Sequence, residues 1–178
     1  MQKKPTLIFI ALFLVSFAVC AQQADVITQI IDSPQMTCGQ AAYIVACYAN
    51  LEAETFSTDW SLEWAKGEGL VTKEIEGDRP IELAELAGLC MRAWNMPGGL
   101  FYTLSKSNRY AYKEFKAKGF LSPYDDSSMT ISGARGLNLI FKCMESLEAD
   151  RLYNPEPSED YFAPDQENDG SDGLHEDR

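Results

Sequence analysis

The chain has 178 residues, with 27 acidic against 15 basic side chains and a net charge of −12. That balance excludes nucleic acid as a partner, because phosphate binding needs a basic footprint and none is present. A single histidine and the absence of any CxxC pair leave no zinc-binding arrangement, and nothing in the residue pattern asks for a cofactor.

Residues 1–21 read as a secretory signal. Lys3 and Lys4 supply the positive start, and Leu7 to Val19 is apolar apart from Ser16. That run falls short of the roughly 20 apolar residues that span a bilayer. Cleavage after Ala21 leaves Gln22 as the mature terminus and an exported, periplasmic or envelope protein. Cys20 opens a second route, a bacterial lipid anchor, although Phe17-Ala18-Val19 matches its processing site poorly. The mature chain contains no transmembrane span.

One helical unit is then written three times, at about 26–51, 56–96 and 107–148. Val26 to Ile31 is a truncated prelude to the first. Thr37 and Gln40 form a capping box, followed by Ala41, Ile44, Val45, Tyr48 and Leu51 at helical spacing. In the second unit Asp59 is placed to cap a short helix through Trp60, Trp64 and Ala65, which Gly67 and Gly69 end. Leu70-Val71 forms an apolar plug, and Thr72 to Arg79 a loop. Pro80 suits the first turn of a long helix with the stripe Leu83, Leu86, Ala87, Cys90 and Trp94.

Met96-Pro97-Gly98-Gly99 breaks that helix, and Leu100 to Leu104 is an insertion with room for one extra helical turn. In the third unit Ser107 or Asn108 caps a short helix through Ala111, Tyr112 and Phe115, ended by Gly119. After the loop Ser122 to Asp126, Thr130 or Ser132 caps the last long helix, with the stripe Ala134, Leu137, Ile140, Phe141, Met144 and Leu147. Residues 60–71 lie over 110–121 at a constant offset of 50. The long-helix openings Met36-Thr37, Ile81-Glu82 and Met129-Thr130 are 45 and 48 residues apart. Such a period points to a repeat architecture. The expected fold is all-α, a three-sided bundle of long helices with short helices outside it.

From Asn154 the chain turns acidic and proline-rich. Residues 148–178 hold eleven acids against two arginines, with little to bury, so 151–178 reads as a disordered acidic tail. Four cysteines survive signal removal: Cys38, Cys47, Cys90 and Cys143. An oxidising setting permits two disulfides, while three of the four lie on or beside apolar stripes where a reduced Cys acts as a small hydrophobe. Both alternatives stay open.

The Gly-ended short helices, the Gly/Asp turns and the apolar-Thr openings resemble the S-layer homology domain, of the kind found in exported envelope proteins of diderm bacteria such as spirochaetes. Ile81-Glu82-Leu83-Ala84-Glu85 keeps the shape of that family's Ile-Thr-Arg-Ala-Glu signature at Ile81, Ala84 and Glu85. The resemblance covers roughly Val26 to Leu147. It implies a pseudo-threefold bundle that attaches noncovalently to cell-envelope glycan, a peptidoglycan-linked polymer. The signature arginine corresponds here to Cys38, Leu83 and Ile131, none of which can make its charge-assisted bond. An interaction subunit docking on an envelope protein is therefore the alternative.

Arg79, Arg109 and Arg135 near the repeat junctions are the candidate receivers of an acidic group. Trp60 and Tyr110 are the leading aromatic platforms among Trp64, Trp94, Tyr102 and Tyr112. Solvated charge and core packing are the plainer readings of both sets. Catalysis is not expected. His175 lies in the tail, out of reach of any triad, and Glu82 and Glu85, one turn apart, are the paired carboxylates that could in principle hydrolyse a glycan.

Overall fold

Thr37 opens the first long helix as its sequence requires. Its hydroxyl accepts from the Gln40 N–H at 3.2 Å, while Gln40 Oε1 accepts from the Thr37 N–H at 3.0 Å. Two of the amides that a helix start leaves unpaired are thereby satisfied. The computed structural model describes residues 25–49 and 57–153, with side chains as far as 150. The expected signal, Leu51 and the acidic tail beyond 153 lie outside the described residues.

Helix α1 covers residues 25–32. It is followed by α2 (Cys38–Tyr48), α3 (Thr58–Gly67), α4 (Leu83–Ala93), α5 (Leu100–Ser105), α6 (Asn108–Ala117) and α7 (Gly133–Tyr153). The fold is all-α: among the described residues the extended pairing is limited to two isolated bridges, Thr37 with Pro80 and Glu82 with Thr130. Helices α2, α4 and α7 each touch the other two, while α3 packs on α2, and α5 and α6 pack together beside α4.

Several local expectations are corrected. Helix α2 does not present one apolar face: Cys38, Gly39 and every residue from Ala41 to Ala46 are buried, the mark of a helix enclosed on all sides. The cap of α3 is Ser57, whose Oγ accepts from the Trp60 N–H at 3.1 Å. Asp59 sits within the first turn instead, where its charge meets the positive end of the helix dipole. Pro80 precedes α4 rather than entering it; α4 starts at Leu83 behind Glu82. In the Pro80 bridge to Thr37 the bonds run from neighbours, Cys38 N–H to Arg79 O at 2.9 Å and Ile81 N–H to Met36 O at 2.9 Å, so the missing proline donor is not needed.

The largest correction concerns α7. Its buried residues include Gly133, Gly136, Leu139, Ile140 and Cys143, whereas Ala134 is exposed and Phe141 is 41% exposed. Of the stripe expected there, Ile140 alone is fully buried; Leu137, Met144 and Leu147 form its half-buried margin. The inward face is set by glycine. A Cβ on Gly133 would stand 1.6 Å from the Ile30 carbonyl oxygen, and one on Gly136 would stand 2.4 Å from Met36 Sδ. Ser132 caps the helix, its Oγ accepting from the Arg135 N–H at 3.4 Å, and Thr130 lies in the bridge.

The helix starts are tied by backbone bonds that close on themselves. Cys38 N–H, opening α2, donates to Arg79 O before α4 at 2.9 Å; Leu83 N–H, opening α4, donates to Met129 O before α7 at 2.9 Å; Gly133 N–H, opening α7, donates to Ser33 O before α2 at 2.9 Å. Each junction satisfies an amide that would otherwise be buried without a partner. The short helices also end alike. Leu70 N–H bonds Ala65 O at 2.8 Å and Phe120 N–H bonds Phe115 O at 3.0 Å. Between them Gly69 and Gly119 adopt φ of +67° and +76°, the left-handed exit that glycine takes without a Cβ penalty.

Candidate functional site

Cys38, Cys47, Cys90 and Cys143 are free thiols in this structure. Cys38, Cys90 and Cys143 are at most 2% exposed. Burial pushes the Cys38 thiol up to about 11 against the pull of Arg79. Burial raises Cys90 well above the ordinary thiol value, reinforced by its hydrogen-bonded neighbour Cys143. Burial also raises Cys47. Protonated, enclosed thiols are poor nucleophiles.

The paired carboxylates at the start of α4 are occupied by folding. Glu85 Oε2 accepts from the Glu82 N–H at 3.1 Å, and Glu85 Oε1 accepts from Arg79 Nη2 at 2.8 Å. Both oxygens of Glu85 are thus engaged in holding the helix start. Among the described residues no group of three His, Cys, Asp or Glu side chains could hold a metal ion. His175 lies outside the described residues.

The three candidate arginines have different fates. Arg79 is paired with Glu85 at 2.8 Å and donates to its neighbour's carbonyl, Pro80 O, at 3.2 Å. Arg135 is paired with Asp125 at 2.6 Å. Asp125 also accepts from the Ser122 N–H at 2.8 Å, and its backbone carbonyl accepts from the Tyr112 hydroxyl. The Arg135 hydrogen bond, aided by the Ser122 N–H, holds the Asp125 carboxyl below its usual value in spite of burial. Arg109 is exposed on α6, and among the described residues it joins no ion pair.

Trp60 on α3 is 43% exposed, at the position that Tyr110 holds on α6 fifty residues later. Tyr110 is half-covered: it stacks on Phe101 with centroids 5.5 Å apart and planes 15° apart, and Lys113 Nζ lies 5.3 Å from its ring centre. No hydrogen bond, ion pair or ring contact joins Arg79, Arg109, Arg135 and Tyr110 to one another among the described residues. They are distributed over the loop before α4 and helices α6 and α7.

Two hollows are among those formed by the described residues. One, of about 450 Å³, lies between α3 and the following loop, lined by Asp59, Glu63, Glu74, Glu76 and Asp78 with Lys66 and Lys73 among them. Its charge repels an acidic ligand. The other, of about 540 Å³, lies where α2 and α4 end against α7, lined mainly by Tyr48, Trp94, Met144 and Leu147. Its lining mixes apolar and aromatic side chains with Glu148 and exposed polar atoms.

Sequence reasoning missed two features. Arg92 fastens three segments at once, donating to Leu70 O at 2.7 Å, Lys106 O at 3.0 Å and Asn108 Oδ1 at 3.0 Å. Its sequence neighbours give no sign of this, since all three acceptors are remote. The exposed apolar residues of α5 were the second, and their signal was present: Leu100-Phe101 and Leu104 sit at i, i+1 and i+4 on a six-residue helix. The register of the last unit also moves. The bond cycle places Gly133, not Ile131, where Cys38 and Leu83 stand in the other two helices.

No family model, curated protein or solved structure matches the chain.

Proposed function

We propose that the protein is a noncatalytic, exported module of the cell envelope, related to S-layer homology domains, that attaches or scaffolds by binding a peptidoglycan-linked polymer. The observation that carries this reading is the closed cycle of helix-start bonds, Cys38 to Arg79, Leu83 to Met129 and Gly133 to Ser33. It supports a pseudo-threefold bundle of three helix-loop-helix units, the organisation the resemblance implies. Repeat bundles of this kind offer binding surfaces at their junctions. The protonated thiols and the structural use of Glu82 and Glu85 favour binding over catalysis.

A second reading, a periplasmic protein-interaction subunit that has lost glycan binding, is favoured by one specific observation. The helix starts carry Cys38, Leu83 and Gly133 where the family has arginine, and the nearby Arg79 and Arg135 are already neutralised by Glu85 and Asp125. An acidic glycan would have to displace an internal carboxylate at each.

Co-sedimentation of the mature chain, from Gln22 onward, with purified peptidoglycan sacculi separates the two. Binding that disappears when acid extraction removes the attached polymers supports the first reading, and the Arg79→Ala and Arg109→Ala variants then weaken it. Absence of binding to either preparation rejects it in favour of a protein partner.

A further inference from the structure

Leu100, Phe101 and Leu104 stand 69%, 66% and 77% exposed on α5, and Tyr102 is the sole buried residue of that helix. The segment carrying it is bounded by two non-glycine residues in left-handed conformation, Asn95 at φ 45° and Lys106 at φ 50°. Clustered apolar exposure of this kind marks a surface that something covers. The patch is also cationic. Lys106 and Lys113 rise beside it, Lys106 Nζ lying 5.2 Å from the Tyr102 ring centre and Lys113 Nζ 5.3 Å from that of Tyr110, and Arg109 is exposed on α6. None of the three joins an ion pair among the described residues. Across residues 99–121 five basic side chains meet a single acid, Glu114, which is bound to the Gly99 N–H at 2.9 Å. This is the basic region of a chain whose net charge is −12.

The chain carries a segment of the complementary composition. Residues 154–178 hold nine acids against one arginine, and within them Glu159-Asp160-Tyr161-Phe162 sets two aromatic side chains directly beside two carboxylates. The tether and the span it crosses are of similar length. Leu147 and Glu148 of α7 share a hollow with Trp94, six residues before Leu100 and hence within about 20 Å of it along the chain, and α7 runs about 8 Å on from Glu148 to Tyr153. The nine steps from Tyr153 to Phe162 reach up to about 30 Å. A covalent tether of this length supplies an effective concentration on the order of mM, so a weak contact suffices.

We propose that the acidic segment around Glu159–Phe162 docks in cis on the α5–α6 face. Tyr161 and Phe162 cover Leu100, Phe101 and Leu104, and Glu159, Asp160 and Asp165 lie against Lys106, Arg109 and Lys113. Apolar burial supplies the driving force, and the charges fix the orientation and make the contact salt-sensitive. An anionic lipid surface fits this face less well, because the same acidic segment would be repelled from the membrane it would have to approach.

The test is hydrogen exchange with mass spectrometry on the whole mature chain beside its Tyr161→Ser/Phe162→Ser variant. It is paired with carbodiimide cross-linking of an equal mixture of light and heavy-isotope protein. A contact occupied about four-fifths of the time slows the amides of 100–105 about fivefold relative to the variant. The cross-links from Lys106 or Lys113 to Glu159 or Asp160 then stay within one isotope. Equal exchange in the two proteins overturns the proposal. So do cross-links joining light to heavy chains, which assign the face to a second copy. Slowing seen only on addition of phosphatidylglycerol vesicles overturns it as well, and assigns the face to lipid.

Discussion

Residues 57–83 and 107–133 trace the same backbone with opposite charge. Each is a ten-residue helix behind a serine, then a left-handed glycine, an apolar plug and a loop that delivers the opening of a long helix. The exit bonds agree to within about 0.2 Å: 2.9, 3.2 and 2.8 Å at Glu68, Gly69 and Leu70, and 2.8, 3.1 and 3.0 Å at Lys118, Gly119 and Phe120. Yet the first carries seven acids and three bases, and the second three acids and four bases. The ion pairs are reversed too: Arg79 before α4 meets Glu85 inside it, whereas Asp125 before α7 meets Arg135 inside it. Backbone satisfaction and apolar plugs therefore define the unit, and surface charge is free to diverge for other purposes.

The contrast is sharpest at the helix openings, where Leu83 and Gly133 are equivalent. Leu83 has room for its side chain and is 1% exposed; Gly133 has none, because Ile30 O occupies the place of its Cβ. Gly133→Ala is therefore expected to cost about 3 kcal/mol or more, through forced separation of α7 from the chain at Ile30. Denaturant unfolding measures it, and a loss under about 1 kcal/mol would show that the opening of α7 is as roomy as that of α4.

Asp125→Asn comes next. It removes the charge from a carboxylate that is 9% exposed and bonded to both Arg135 and the Ser122 N–H, with an expected loss of about 1–3 kcal/mol. The sign with pH is fixed by the lowered Asp125 value. Its stabilisation is fully present above the unfolded-state value, near 3.8, and is lost as pH falls through the lower folded-state value. Thermal melts from pH 6 downward should show the wild type losing part of its advantage over the variant below about pH 4. A constant difference across that range would exclude the carboxylate as its source.

Arg79→Ala is the smallest of the three. Arg79 is 37% exposed in its pair with Glu85, and such pairs contribute under about 1 kcal/mol. A melt comparable to that of Asp125→Asn would mean that the two regions use their reversed ion pairs equally.

Much of the architecture was legible residue by residue. The capping box of Thr37 and Gln40, the stripe Leu83, Leu86, Ala87 and Cys90, the glycine stops at 69 and 119 and the extra turn at Leu100 are local features, and local hydrogen bonding and periodicity specify them. Of the candidate site, the position of Arg79 and Arg135 at the junctions could be read, but not that each is already engaged.

What the sequence determined by itself is the set of helices, the capping box of Thr37 and Gln40, the glycine stops, and hence the all-α class, because each follows from bonds formed within a few residues. The tertiary structure decided which side of α7 turns inward, where Pro80 and Asp59 sit relative to their helices, and which charges are neutralised. Periodicity weighs side chains and so passes over Gly133 and Gly136, whose value lies in having none. Ion pairs between a loop and the helix after it, and the three-way reach of Arg92, depend on the path of the folded chain through space.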